Sequence, residues 1–185
     1  MTARTSVDVE CIVALVNTHY LPEADDMLVD GRAADWLVDW LGEVNANLGG
    51  CGDEATLGRL RDVREGLRAL AAANNDQPPQ ADAVARARSA LAARGLELDL
   101  GDHERSPRFV TPAGASLAEG GIALAATSYL NARAGKDWVR VKACAAPDCR
   151  YAYLDMSRNR SRRWCEMAYC GNRAKNRAWR ERHSP

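Results

Sequence analysis

The pattern of apolar and polar positions predicts a chain made mostly of helices. Apolar residues in the segment 9–20 fit one helix face, although their β-branched side chains leave a strand as the alternative. The segment 33–45 places its tryptophans, its leucines and Val44 at the spacing of an amphipathic helix. A longer helix is predicted over 53–73, with leucines facing inward. Its outward-facing residues are predicted to include Arg59, Arg61, Arg64 and Arg68.

The middle of the chain predicts two more helices and a hairpin. An alanine-rich helix is expected over 80–94, closed by Gly95. Alternating leucines in 96–100 predict a strand, which residues 108–111 can join as a hairpin. A last long helix is expected over 115–134. The prediction is therefore a mainly α fold, in which a helical domain with one small β-hairpin spans residues 1–138.

A second module is predicted over residues 139–185, where the composition changes. A tyrosine-bearing segment, 151–154, predicts a short strand, and residues 172–182 predict a helix. This arrangement of two cysteine knuckles, a strand and a helix is common in small zinc-binding modules. So short a segment buries too little surface to fold alone, and we expect a metal ion to supply the missing stability.

Charge is divided unevenly between these two segments. The whole chain has zero net charge, but residues 140–185 hold 12 basic and 4 acidic residues, and residues 1–139 hold 13 basic and 21 acidic ones. This asymmetry predicts an anionic partner for the basic segment, with a solvated helix face beside an acidic domain as the alternative. No apolar run approaches the roughly 20 residues of a membrane span, and no signal peptide is visible. We expect a cytoplasmic protein without a membrane partner.

Four of the six cysteines have the spacing of a metal site. Written as C-x4-C-x15-C-x4-C, they form two short pairs, as the thiolate ligands of structural zinc do. Pro147-Asp148 supplies a turn inside the first pair, and Gly171 permits close backbone approach after the second. We predict one structural Zn²⁺ ion. Two disulfides, metal-free thiols and an iron–sulfur cluster are the alternatives. The predicted ligands are Cys144, Cys149, Cys165 and Cys170.

The other candidate chemistry is weaker. Four thiolates leave no open position for a catalytic water. No phosphate-binding loop, dinucleotide fingerprint or Ser/His/Asp arrangement stands out, so we expect no enzyme and no catalytic residues. Cys11 is expected to be a core thiol, and Cys51 carries no assigned role.

Arginines surround the cysteine pairs and predict contacts with nucleic acid. Guanidinium groups match phosphate oxygens, and residues 173, 177 and 180 share one helix face. Asn176 lies beside that face and is a residue type that can read an adenine edge. Trp164 is expected in the module core, whereas Trp179 could equally pack there or stack on bases. The predicted nucleic-acid contacts are Arg158, Arg160, Arg162, Arg163, Arg173, Lys175, Arg177 and Arg180.

At these residues the sequence resembles two known families. The segment 144–182 resembles the CGNR zinc finger, whose name is present as Cys170-Gly171-Asn172-Arg173, and Asp155, Lys175 and the run 157–165 fit the same family. The N-terminal part resembles the ABATE domain. The matching positions are Val16-Asn17-Thr18, Asp35-Trp36-Leu37, Leu60-Arg61 and Leu67-Arg68, whereas the residues around Cys11 depart from that family's pattern.

The resemblance implies a bacterial, stress-induced transcription regulator with zinc as its cofactor. DNA is the expected partner, and the helical domain would sense a ligand or mediate dimerisation. A homodimer and a small-molecule effector are therefore left open. The alternative function is an RNA-binding or protein-interaction zinc module without direct DNA readout.

Overall fold

A computed structural model describes residues 7–29, 31–42, 47–93, 95–103 and 105–183, and it confirms the mainly α fold. The helices are α1 (Val7–Val16), α2 (Arg32–Leu41), α3 (Glu54–Ala73), α4 (Ala81–Ala92), α5 (Leu117–Ala134) and α6 (Asn172–His183). Antiparallel pairs join β1 (His19–Tyr20) to β2 (Asp25–Asp26), β3 (Glu97–Asp99) to β4 (Arg108–Val110), and β5 (Val141–Ala143) to β6 (Ala152–Leu154). Among the helices of the described ranges, none is both long and apolar enough to cross a membrane.

The predicted helices all form, and their ends differ by a few residues. The first helix ends at Val16, earlier than expected, because the chain turns at Thr18 and enters β1. α2 ends at Leu41, and the predicted continuation through Val44 lies outside the described residues, as does Arg94 at the end of α4. The hairpin of β3 and β4 forms as expected.

Side-chain caps define the start of the two longest helices. Asp53 precedes α3 and accepts a hydrogen bond from the Thr56 backbone N–H. Ser116 precedes α5 and forms a reciprocal capping box with Glu119. Each cap satisfies an N–H group that the helix itself leaves without a partner.

An aliphatic core lies between α1, α2, α3 and α5. Ile12, Leu37 and Leu60 are fully buried in it. α4 packs against α3 at Gly66, where a Cβ atom would collide with the Cβ of Ala87. The close crossing of these two helices therefore requires glycine at that position.

The prediction that Arg64 and Arg68 face solvent is wrong. Their exposed fractions are only 2% and 1%. Arg64 donates to both carboxylate oxygens of Asp26, at 2.7 and 2.8 Å, and Arg68 donates to Glu65 at 3.0 Å. α3 is covered on this side by the β1–β2 segment and by the C-terminal module, so both arginines are enclosed and paired.

The C-terminal β5–β6 ribbon is attached to the helical part by polar side chains as well as by packing. Val141, Ala143 and Ala152 belong to the aliphatic core. The Asn17 amide exchanges two hydrogen bonds with the backbone of Ala152, at 2.9 and 2.8 Å. Further bonds to backbone carbonyls of residues 138–163 come from the side chains of Arg68, Asn74, Asn75 and Gln77.

Candidate metal centre and basic surface

The four predicted cysteine ligands meet at one point although they come from two separate turns. Cys144 follows β5 and Cys149 closes the first turn. Cys165 follows the arginine-rich loop (157–163), and Cys170 lies in a π-helical turn that leads into α6. All four sulfurs lie within 4.8 Å of one another. They are positioned to bind one zinc ion.

The spacing of the sulfurs fits tetrahedral coordination. Cys165 Sγ lies 3.6 Å from the sulfurs of both Cys149 and Cys170. A Zn–S bond of about 2.3 Å gives a tetrahedron edge of about 3.8 Å, whereas a disulfide needs about 2.05 Å. All four cysteines are free thiols in the structure. The donor set and its geometry therefore fit a structural zinc ion and do not form the alternative disulfides.

The thiols of the cluster affect one another's protonation. A hydrogen bond from Cys149 lowers the pKa of Cys144 to about 5. Donating that bond raises the pKa of Cys149 far above its ordinary value. Burial raises the pKa of Cys165 to about 12. Four thiolates this close would repel one another, and a bound zinc ion would neutralise them and lock both turns.

Backbone N–H groups and one guanidinium orient the ligands. Cys144 sulfur receives hydrogen bonds from the backbone of Cys165 and Ala146, and Cys149 sulfur receives one from Tyr151. Arg173 donates to Cys170 Sγ at 3.4 Å and pairs with Asp148 at 3.1 Å. Because Asp148 lies in the first turn and Arg173 follows the second, this ion pair bridges the two turns.

Gly171 allows the second turn to pack closely against Met167 and Trp164. A Cβ atom there would collide with the sulfur of Met167 and press against Trp164. Trp164 is partly buried against the cysteine cluster, as expected. Trp179 does not enter that core: it is 57% exposed and stacks on His183.

A buried ion pair supports the arginine-rich loop from beneath. Asp155 is fully buried and accepts a hydrogen bond from Lys142 Nζ at 2.9 Å. It also accepts from the backbone N–H groups of Ser157 and Arg162, at 3.0 Å each. Burial favours the neutral acid, but the hydrogen bonds from Lys142 and Ser157 outweigh it and lower the pKa of Asp155 to about 2. Lys142 also donates to the carbonyls of Arg160 and Arg162.

All eight predicted nucleic-acid contacts are exposed, but their side chains differ in the contacts that they make within the protein. Arg162 stacks over the Tyr153 ring at 4.7 Å and donates to the Trp164 carbonyl, so its guanidinium is folded onto the module. Arg173 is engaged with Asp148 and Cys170. Five side chains make no hydrogen bond or ion pair within the described part of the chain: Arg158, Arg160, Arg163, Lys175 and Arg177.

Sequence reasoning missed the residues that hold this surface in place. Asp155 stands out in the sequence only through the family resemblance, and Asn75 lies in a segment that predicts a loop. Asn75 does lie in a turn after α3, but it is buried there and donates to the carbonyls of Ala143 and Arg163. A run of amide residues after a helix was the available signal, but it indicates a loop equally well.

Comparison with known families agrees with this geometry. The CGNR zinc finger model matches residues 140–183, and the ABATE model, described as "Putative stress-induced transcription regulator", matches residues 10–140. These descriptions name a regulator and a zinc finger, not an enzyme. No curated protein matches the chain. Residues 140–183 thus match a CGNR zinc finger, and since the ABATE model covers well over half of the chain, the protein belongs to the ABATE family.

Proposed function

We propose that this protein is a transcription regulator that binds duplex DNA through the basic surface of its zinc module. The observation that carries the proposal is a set of five basic side chains on the arginine-rich loop (157–163) and α6, which make no hydrogen bond or ion pair with any residue that the structure describes. Such cations contribute most to DNA binding when they replace condensed counterions along the phosphate backbone. The family description as a regulator supports the same function.

The arginine-rich loop is suited to phosphate contact because its backbone is already ordered. Asp155, Lys142 and the Tyr153 hydroxyl hold the backbone groups of Ser157, Arg160 and Arg162. The loop therefore loses little additional conformational entropy on binding, and an ordered backbone carries its exposed guanidinium groups. Arg158, Arg160 and Arg163 are the proposed phosphate contacts of this loop.

Helix α6 is suited to a groove of the duplex because it buries none of its residues. Its 12 residues make a rod about 18 Å long, and the DNA major groove, about 12 Å wide, admits a single helix. Lys175 and Arg177 are free to reach phosphates or guanine edges. Asn176 is exposed next to them and is the proposed reader of adenine.

The helical domain would complete the regulator by sensing a ligand or by dimerisation. A single small DNA-binding module buries only about 600–1,000 Å², which is little for tight and specific binding. A homodimer presenting two modules doubles that area. We therefore propose the domain boundary near residue 138 as the division between a sensing or dimerising part and the DNA-binding part.

The proposal is tested by charge removal in the full-length, zinc-loaded protein. We expect a triple variant, Arg158→Gln, Arg160→Gln and Arg163→Gln, to weaken binding to labelled duplex DNA and to reduce the slope of log K against log salt by about 3. Arg133→Gln, an exposed arginine on α5, is the matched control and leaves the slope unchanged. Equal salt slopes for the triple variant and the wild type would contradict the proposal.

One observation favours RNA as a second candidate. Trp179 and Tyr169 are exposed beside the basic side chains, and unpaired bases stack on such rings. Competition between duplex DNA and single-stranded RNA of equal length separates the two functions. We expect the duplex to compete better, and Trp179→Ala to have little effect on duplex binding. A larger loss for RNA than for DNA in that variant would favour the second candidate.

A further inference from the structure

A cleft lies between the helical part and the zinc module and opens onto the cysteine cluster. Its volume is about 740 Å³. Tyr20 and Pro22 form one wall, Tyr151 and Tyr169 belong to the module, and Tyr20 meets Tyr151 edge to face at 6.1 Å. The floor is formed by three of the four cysteines: Cys149, Cys165 and Cys170. Small molecules in this cleft therefore come close to the ligand sulfurs.

The four cysteines are not equally accessible. Cys144, Cys149 and Cys170 have exposed fractions of 0%, 3% and 4%, whereas Cys165 is only partly buried. Cys144 does not line the cleft, and its position behind the other three removes it from solvent. Access therefore favours attack at Cys165.

Hydrogen bonding also distinguishes Cys165. Backbone N–H groups donate to the sulfurs of Cys144 and Cys149, and the Arg173 guanidinium donates to Cys170. Such bonds hold negative charge on sulfur and make the thiolate a weaker nucleophile. The contacts of Cys165 Sγ are instead with the sulfurs of Cys149 and Cys170, which become neighbouring thiolates once a metal is bound. Within the described residues, Cys165 is therefore the ligand whose sulfur receives the fewest hydrogen bonds from N–H donors.

We propose that Cys165 is a modification site: the thiolate of the zinc centre that reacts first with a small oxidant such as hydrogen peroxide, which enters through the tyrosine-walled cleft. The Cys165 sulfur attacks one peroxide oxygen, an S–O bond forms, the O–O bond breaks, and hydroxide leaves with the electron pair. The product is a sulfenic acid.

A second sulfur lies close enough to complete the reaction. The thiolate of Cys149 or Cys170, 3.6 Å away, attacks the oxidised sulfur; the S–S bond forms, the S–O bond breaks, and a second hydroxide leaves. The two thiolates have then given up two electrons, which the peroxide has accepted. A disulfide is a poor ligand, so this step removes two of the four donors and releases the metal.

The other two cysteines, Cys11 and Cys51, are expected to react more slowly with peroxide. Burial raises the pKa of both Cys11 and Cys51, and neither has the bound zinc ion that would hold Cys165 as a thiolate near neutral pH. Neither belongs to the four-sulfur cluster. The proposal concerns the sulfur chemistry of the centre and does not depend on DNA binding.

The test uses the full-length, zinc-loaded protein with limiting hydrogen peroxide. A dimedone trap and peptide mass spectrometry identify the sulfur that becomes sulfenic acid, and a chromogenic chelator measures released zinc. We expect the dimedone adduct on Cys165 to form about tenfold faster than on any other cysteine, because the other ligands must weaken a charge-assisted hydrogen bond to react. Zinc release should follow adduct formation. First modification at another ligand, or equal rates, would overturn the proposal.

A second measurement tests the route of entry without altering a ligand. Ala168 is exposed and lines the cleft, so Ala168→Trp should narrow it. We expect this variant to slow the reaction of N-ethylmaleimide with Cys165 about tenfold, since reactivity follows access. Ala85→Trp, at an exposed position on α4, is the matched control and should leave the rate unchanged. Equal rates in the two variants would overturn the role of the cleft.

Discussion

The helical part and the zinc module are stabilised in different ways. In the helical part, α1, α2, α3 and α5 share one continuous aliphatic core, into which residues such as Leu28 and Leu37 are fully buried. In the zinc module, the separate core consists of Cys144, Ala146, Cys149, Tyr153 and Cys170. Three of these five residues are metal ligands. The first part is stabilised by apolar burial, and the second depends on a metal ion and on its neighbour.

The zinc module depends on the helical part because side chains of the helical part form hydrogen bonds with the module's backbone. Asn17, Asn74, Asn75 and Gln77 of the helical part satisfy carbonyl or N–H groups of the module. Arg68 binds the carbonyl of Arg150, directly after a ligand cysteine. The module is therefore not an independent finger on a linker, and changes in the helical part should be felt at the metal centre.

The largest effect is expected from loss of a metal ligand. Cys144→Ser should unfold the module while leaving α1 to α5 helical, because structural zinc contributes on the order of 10 kcal/mol to small zinc modules. The measurements are the zinc content per chain and the thermal unfolding of the variant. Cys51→Ser, which removes a thiol outside the cluster, is the control. If the variant kept one zinc ion per chain and an unchanged Tm, the zinc module would not depend on its metal ion in the way that distinguishes it from the helical part.

The next largest effect is expected from the ion pair beneath the arginine-rich loop. Asp155→Asn leaves the Lys142 ammonium buried without its counter-ion, which typically costs about 3–5 kcal/mol. Asp102→Asn removes a carboxylate from an exposed pair with Arg105, and such pairs contribute about 0–1 kcal/mol. Chemical denaturation of both variants gives the comparison. Equal losses of unfolding free energy would show that burial of the pair is not what orders the loop.

A smaller effect is expected from removing one amide that connects the helical part to the zinc module. Asn75→Ala leaves the carbonyls of Ala143 and Arg163 without this donor, at a cost of about 1–3 kcal/mol for a buried group. We expect weaker zinc binding in competition with a chelator, although no ligand has changed. Asn131→Ala, which removes an exposed bond to Asp8, should leave the zinc affinity as in the wild type. Unchanged affinity in the Asn75 variant would mean that the module folds independently.

The smallest effect is expected inside the helical part alone. Ser116→Ala removes the capping box of α5 and should lower the free energy of unfolding by about 1 kcal/mol. Zinc affinity should not change, since Ser116 contacts Glu119 and not the module. Parallel denaturation and zinc-competition measurements check both statements. A change in zinc affinity as large as that of Asn75→Ala would show that stability in general, and not the specific amide contacts, couples the two parts.

The sequence predicted the metal centre well because its signal is local. Each cysteine pair is joined by one short turn, so spacing alone indicates that both sulfurs of a pair face the same ion. The long helices were predictable for a similar reason, since apolar periodicity in 53–73 and 115–134 directly reflects burial.

The polar contacts between distant segments could not be predicted in this way. Arg64 and Arg68 fall at polar positions of α3, and periodicity cannot distinguish a solvated arginine from one enclosed by Asp26 and Glu65. Strand β5 buries all three of its residues, Lys142 among them, so its burial does not follow apolar–polar alternation. Whether an arginine or amide is buried depends on which other segment covers it, and that information is not local.

The side chain of Asn17 has a consequence for self-association. A two-stranded ribbon presents open N–H and C=O groups along its outer edge, and such an edge invites pairing with another chain. Here the Asn17 amide occupies that edge at Ala152 with one donor and one acceptor, as a peptide group of a third strand would. At this position the β6 edge is therefore closed to pairing with a strand of another copy.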